Sequence, residues 1–201
     1  MRTLFITASI AAIVAAAPAQ AQERDQSFTG PRAEAVVGWD RVDDGASSNV
    51  DASDGVVYGA QIGYDYDLGK AVVGIEGEAT DSTVKESAGA VIAAGDSLSV
   101  KAGRDLYLGG RVGFKVGDRT LLYAKGGYTN AKINTLYTAP STSVATSDTV
   151  DGWRAGAGAE VRLSKGIYAK GEYRYSNYSE LSGYPVDIDR HQVVAGVGVR
   201  F

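Results

Sequence analysis

From Trp153 to Leu163 the chain reads WRAGAGAEVRL, a pattern of period two. Trp153, Ala155, Ala157, Ala159 and Val161 fall on one side, and Arg154, Gly156, Gly158, Glu160 and Arg162 on the other. The same alternation recurs in Ala33 to Arg41, Val56 to Asp67, Ala71 to Thr80, Leu106 to Val116, Thr120 to Asn130, Gly152 to Leu163, Ile167 to Ser176 and Arg190 to Phe201. Period two predicts strands, and beyond the first 21 residues no stretch holds a helical period.

The connections between these eight runs alternate in length. Asp67 to Lys70, Gly117-Asp118 and Ser164 to Gly166 are tight turns. Val42 to Gly55, Asp81 to Asp105, Ala131 to Asp151 and Asn177 to Asp189 are long and rich in Ser, Thr, Gly and Asp, as solvated loops are. Short turns at one end and long loops at the other describe an up-and-down meander whose ends face different surroundings, an asymmetry of transmembrane barrels. The expected fold is therefore all-β: an eight-stranded antiparallel up-and-down transmembrane β-barrel, with short periplasmic turns and long extracellular loops.

Assigning the two faces of each run sharpens that expectation. With the apolar side outward, the aromatics sort by height. Trp39, Tyr58, Tyr128, Trp153, Tyr173 and Tyr175 fall toward the long-loop ends, and Tyr64, Tyr66, Phe114 and Phe201 toward the short turns. Aliphatic positions such as Ile62, Ile75, Leu108 and Val197 lie between them, as membrane interfaces select. The other side collects Glu34, Asp40, Asp65, Glu76, Glu78, Glu160 and Glu172 against Arg111, Lys115, Lys125, Arg154, Arg162, Lys170, Arg174 and Arg200. Eight strands enclose little more than their own side chains. Nearly balanced charge in that space predicts a packed ion-pair network, for which Glu76, Glu78, Arg111, Lys125, Arg154, Glu160, Arg162, Lys170, Glu172 and Arg174 are the core candidates. A selective channel would carry one dominant sign.

The N-terminus has a separate logic. Arg2 precedes an apolar run from Leu4 to Ala17, and Ala19-Gln20-Ala21 supplies small residues for a signal peptidase. That run is shorter than the ~20 residues of a spanning helix, so residues 1–21 read as a signal peptide, 22–31 as an N-terminal periplasmic segment and 32–201 as the barrel. Cleavage before Gln22 leaves 19 basic against 24 acidic residues, a net charge of −5 that argues against nucleic acid as a partner. With no cysteine and one histidine, neither a disulfide framework nor a zinc site is expected, and no cofactor is implied.

The segments RDLYLGGRVGFKVGDRTLLYAKGGYTNA, GWRAGAGAEVRL, YAKGEYRYSNYS and VVAGVGVRF resemble the small outer-membrane β-barrel family that groups OmpA transmembrane-like, opacity-like and porin-family proteins. The likeness covers roughly residues 32 to 201. It implies a monomeric or weakly associated barrel in the outer membrane of a Gram-negative bacterium, in contact with membrane lipid and lipopolysaccharide and inserted by the barrel assembly machinery. In that family the last strand ends in an aromatic preceded by alternating apolar residues; Val193, Ala195, Val197, Val199 and Phe201 match that insertion signal. Members with a full OmpA architecture continue into a peptidoglycan-binding domain, and because the sequence ends at Phe201 that activity is not expected here.

Catalytic readings are weaker. Outer-membrane lipid A deacylases carry a serine two residues beyond the catalytic histidine, whereas His191 is followed by Gln192 and Val193, which leaves it as a rim residue. Glu76 and Glu78 could form an acid-base pair, but inward Arg and Lys are their expected partners. Gly156-Ala157-Gly158 lacks the third glycine and the helix of a dinucleotide loop. Asp43, Asp44, Asp51 and Asp54 lack the spacing of a calcium loop and read as turn formers. AGAVIAAG, Ala88 to Gly95, is an apolar stretch in a polar connection, open to reading as a strand extension or a contact site.

The expected function is a structural or surface-interaction barrel with four exposed loops, no enzymatic activity and an unidentified extracellular partner. A small diffusion pore and a soluble lipocalin-type binding barrel are the alternatives.

Overall fold

A computed structural model describes residues 28–43, 53–89, 95–140, 142–181 and 184–201. The proposed signal peptide, Asp44, Asp51 and the centre of the apolar stretch, residues 90–94, lie outside the described residues. Among the described residues every regular element is a strand: β1 (Gly30–Asp43), β2 (Ser53–Asp67), β3 (Ala71–Ser82), β4 (Lys85–Gly89), β5 (Ser97–Val116), β6 (Thr120–Ala139), β7 (Thr142–Ser164), β8 (Ile167–Leu181) and β9 (Tyr184–Arg200).

Each strand pairs antiparallel with its neighbour, and β1 pairs with β9 from Arg32 opposite Arg200 to Asp43 opposite Asp189, which closes the sheet. β5 pairs with both β3 and β4, so β3 and β4 form one stave interrupted at Thr83 and Val84. The ring therefore has eight staves built from nine strands. Closure satisfies the backbone hydrogen bonds of both ends of the sheet, which a bilayer demands.

The short turns are where the alternation places them, and three of them carry a glycine with positive φ: Gly69, Gly117 and Gly166. The long connections differ from expectation. Residues expected in the second and third loops instead continue β5, β6 and β7, with β6 and β7 paired from Thr120 opposite Val161 up to Ala139 opposite Thr142. The expected fourth loop is shortened as well, since β8 runs to Leu181 and β9 starts at Tyr184. Of the apolar stretch, Ala88 and Gly89 finish β4, which makes that part a strand extension.

Side-chain burial is the inverse of a soluble barrel. Ile62 is 66% exposed and Leu108 68%, whereas Arg154 is 1% and Arg174 0%. A lipocalin-type barrel holds its apolar residues inside, so that alternative is set aside. The apolar exterior is a surface for hydrocarbon, and the interior must solve the problem of buried charge.

Candidate functional site

Because successive side chains point to opposite faces, each stave delivers every second residue to the lumen. At the short-turn end Arg111 and Arg200 both bridge Asp65 and Glu160. Arg111 Nη2 lies 2.5 Å from Asp65 Oδ2 and 3.2 Å from Glu160 Oε2; the Arg200 distances are 2.9 and 2.6 Å. Arg32 joins this ring to the next level, with Nε 3.2 Å from Asp65 and its terminal nitrogens on Glu34 and Glu76.

The middle level is a closed ring of alternating sign. Around it run Arg32, Glu34, Lys170, Glu172, Lys125, Glu76 and Arg32 again. Lys170 Nζ stands 3.1 Å from Glu34 and 3.6 Å from Glu172, and Lys125 Nζ 3.0 Å from Glu172 and 2.7 Å from Glu76. Above it Arg174 links Glu172 to Glu78 at 2.6 Å, and Arg154 links Glu78 at 3.1 Å to Asp105. Arg190 completes the column, 2.9 Å from Asp105 and 2.6 Å from Asp40.

Eight carboxylates and eight bases thus form one connected network with side chains almost entirely shielded. Charges taken out of water are tolerable only when paired and hydrogen-bonded, and here every acid touches a base. Four tyrosines fill the space between. Lys125 lies 4.7 Å over the Tyr107 ring, Arg111 5.1 Å over Tyr123 and Arg200 5.0 Å over Tyr168, while Tyr178 donates to Asp105 at 2.9 Å. A Cβ on Gly198, which faces Tyr168 across the β8–β9 pair, would come within 2.5 Å of that ring, so the tyrosine requires the glycine.

Nine of the ten expected network residues sit in this column. The tenth, Arg162, lies at the short-turn mouth with its guanidinium 4.6 Å over the ring of Phe28. Lys115, also expected inside, pairs with Asp67 at 2.8 Å at the same mouth. Sequence reasoning missed Arg32, Asp105 and Arg190, all at strand ends that the shorter strands excluded or left unassigned to a face. The carboxylates of Glu76 and Glu78 hold two bases each, Arg32 with Lys125 and Arg154 with Arg174, so neither is a free acid-base pair.

Phe28 was also missed. It belongs to the segment read as periplasmic and is fully buried against Val72 and Leu121, with Arg200 at 5.3 Å and Lys115 at 6.0 Å from its ring. Its amide donates to Asp67 Oδ2 at 3.1 Å, and the Asp67 amide donates to Thr29 Oγ1 at 2.9 Å. The barrel structure therefore begins before residue 32, with the chain folded across the mouth.

On the exterior, Trp39, Tyr58, Tyr128, Trp153 and Tyr173 are exposed at the tall end, and Tyr64, Tyr66, Phe114 and Phe201 at the short-turn end. Tyr175 is half-buried between Trp153, at 5.3 Å, and His191, at 5.2 Å between ring centroids. The Tyr173 hydroxyl lies 2.7 Å from His191 Nδ1, so the histidine is part of this outward aromatic rim. Val193, Ala195, Val197, Val199 and Phe201 all point outward from β9 and its end.

An apolar, aromatic-banded exterior around a neutralised charged lumen defines a membrane-spanning β-barrel. The sequence matches the model of the outer membrane protein beta-barrel domain over residues 7–201, and the chain belongs to that family. It is 29% identical over 170 residues to the 25 kDa outer-membrane immunogenic protein of Brucella canis, covering 82% of this chain and 74% of that one. With the 31 kDa outer-membrane immunogenic protein of Brucella melitensis biotype 1 the identity is 27% over 162 residues, covering 73% and 67%. In fold it is similar to Neisserial surface protein A (TM-score 0.57, 12% identity, 86% of this chain and 98% of that one) and to Ail, the attachment invasion locus protein of Yersinia pestis (0.53, 16%, 87% and 100%). The protein is an outer-membrane β-barrel of a Gram-negative bacterium. Its short turns face the periplasm and its tall strand extensions the exterior.

Proposed function

We propose that this protein is a structural, surface-displaying barrel whose lumen is closed to ions and which carries out no catalysis. The observation behind this reading is the connected column of eight acids and eight bases, shielded from solvent and filling the lumen between staves. A permeating ion would have to part charge pairs held in a low-dielectric interior, where each is costly to break. Phe28 adds an apolar obstruction at the periplasmic mouth.

In this reading lipid and lipopolysaccharide hold the exterior and the barrel works as a monomer. The barrel assembly machinery recognises the outward edge of Val193, Ala195, Val197, Val199 and Phe201. The Ser- and Thr-rich extensions of β5, β6 and β7 meet an extracellular partner. Planar-bilayer recording tests the closed lumen. The refolded protein is expected to give no discrete conductance steps, while uniform steps whose size changes in Glu78→Gln would establish a diffusion pore instead.

A further inference from the structure

The chain has one histidine, and it stands on the outward rim with a phenol against it. On β8 Tyr173 and Tyr175 point outward, and on β9 so do Asp189, His191 and Val193, because Arg174, Arg190 and Gln192 between them are buried. Tyr175 is the cross-strand partner of His191, and Tyr173 stands opposite Val193, which sets it diagonal to the imidazole. Diagonal neighbours in an antiparallel pair are within reach of aromatic side chains, and the Tyr173 hydroxyl comes to 2.7 Å from His191 Nδ1. With the ring proton on Nε2, Nδ1 is the acceptor and the phenol donates.

This pairing is what a phenol needs in order to give up an electron. An oxidised phenol is strongly acidic, so the electron leaves readily only where a base takes the proton in the same step. A neutral imidazole is such a base near neutral pH, and a carboxylate is a weaker one. Two other rim tyrosines use carboxylates: the Tyr175 hydroxyl donates to Asp189 at 2.5 Å, and the Tyr128 hydroxyl to Asp151. Exposure does not distinguish these phenols. Tyr173 is 49% exposed, Tyr58 50% and Tyr128 54%, so a small radical reaches them alike and the proton acceptor decides among them.

The charged and titratable groups facing His191 are Arg41 from β1, Tyr173 and Tyr175 from β8, and Asp189 on its own strand. Asp189 supplies a counter-charge, although its carboxylate also accepts from Tyr175 and from Asn177 Nδ2 at 3.0 Å. Arg41 is the cross-strand partner of His191, and like charges directly opposite one another repel. An imidazolium formed here is therefore ready to pass its proton on.

We infer that Tyr173 is a redox-active residue, the barrel's preferred hydrogen-atom donor to peroxyl radicals at the outer membrane boundary, with His191 as its proton acceptor. The electron passes from the phenol ring to the peroxyl radical, and the phenolic proton moves to Nδ1. The imidazolium gives its Nε2 proton to the peroxide anion so formed, which leaves as the hydroperoxide. The phenoxyl radical then couples with a second peroxyl radical through one new C–O bond. Each barrel removes two radicals and is consumed, which is sacrificial protection without turnover. The lumen takes no part, so the site stands whether or not the barrel conducts.

The probe is a water-soluble azo initiator that releases peroxyl radicals on warming, applied to the refolded protein in detergent micelles. Mass spectrometry of the digested chain gives the rate of loss of Tyr173 relative to Tyr58 within one sample, so differences in radical supply cancel. At about pH 8 this ratio is expected to be about ten. It falls toward one at about pH 5, where a protonated imidazole has no acceptor nitrogen. His191→Gln keeps a hydrogen-bond acceptor beside the hydroxyl but cannot take the proton, and is expected to bring the ratio to within about twofold of one. A band shift on boiling verifies that the variant is folded; should it not fold, the pH comparison on the parent carries the test. A ratio near one in the parent at the higher pH overturns the proposal. So does a high ratio that persists in acid or in the folded variant, which would make Tyr173 reactive by position alone.

Discussion

Arg111 grips Asp65 at two points across the lumen, Nε to Oδ1 at 2.9 Å and Nη2 to Oδ2 at 2.5 Å. Parallel bonds of this kind match the planar guanidinium to the carboxylate and fix both side chains. Asp65 Oδ2 also meets Arg200 at 2.9 Å and Arg32 Nε at 3.2 Å, so one carboxylate balances three guanidiniums. Asp65→Asn keeps the shape and removes the charge, leaving those bases in a shielded space with less to hold them. The expected loss is about 3–5 kcal/mol in urea unfolding of the protein in lipid vesicles. A loss under about 1 kcal/mol would mean that the pair is screened as a surface pair is.

Phe28 seals the periplasmic mouth through contact with Val72 and Leu121 and by lying beneath Arg162, Arg200 and Lys115. Phe28→Ala is expected to cost about 3 kcal/mol in the same unfolding measurement. Phe28→Leu keeps the apolar contact but loses the ring face that the cations use, at about 1 kcal/mol. Equal losses for the two substitutions would assign the stabilisation to the ring alone.

These two residues also mark what could be read along the chain and what could not. Alternation made the lumen legible wherever lipid supplies the contrast: Glu76 and Arg154 stood out because their neighbours were apolar. Above the membrane the outer face of a strand meets water instead of lipid, so from Ala131 to Ala139 and from Thr142 to Val150 the hydrophobic contrast fades and a paired extension looks like a loop, even though Ala131 and Val150 pack inward against Tyr178. Asp105 and Arg190 were lost in that zone, and Arg32 at the opposite strand end. Phe28 is a lone aromatic in a polar segment, with no period to reveal it. The Tyr173 to His191 contact needed the register of β8 against β9, which no single stretch of sequence contains.

The exterior should discriminate by depth. Ile62 lies midway along β2 between Tyr58 and Tyr66, and is 66% exposed on the lipid face. Ile62→Arg therefore places a charge near the bilayer centre, at an expected cost of about 2–4 kcal/mol. Leu163 is 61% exposed but sits beside the periplasmic turn after β7, where Leu163→Arg is expected to cost about 0–1 kcal/mol. Both are read from unfolding midpoints in vesicles of one lipid composition, and similar costs at the two positions would contradict the placement of the apolar band.

Phe201 separates folding from delivery. Its amide donates to the Pro31 carbonyl at 2.9 Å, a bond any residue but proline keeps, and its ring points outward into the membrane boundary. Phe201→Ser should therefore leave the refolded barrel nearly as stable, with a loss of about 1–2 kcal/mol from the exposed ring. If Phe201 with Val199 and Val197 is the edge read by the assembly machinery, the same substitution lowers the amount of heat-modifiable barrel in the outer membrane of cells several-fold. Phe201→Tyr, which retains the ring, restores it. A cellular yield that follows the stability in vesicles, with Ser and Tyr equivalent, would show that this residue contributes packing and carries no insertion signal.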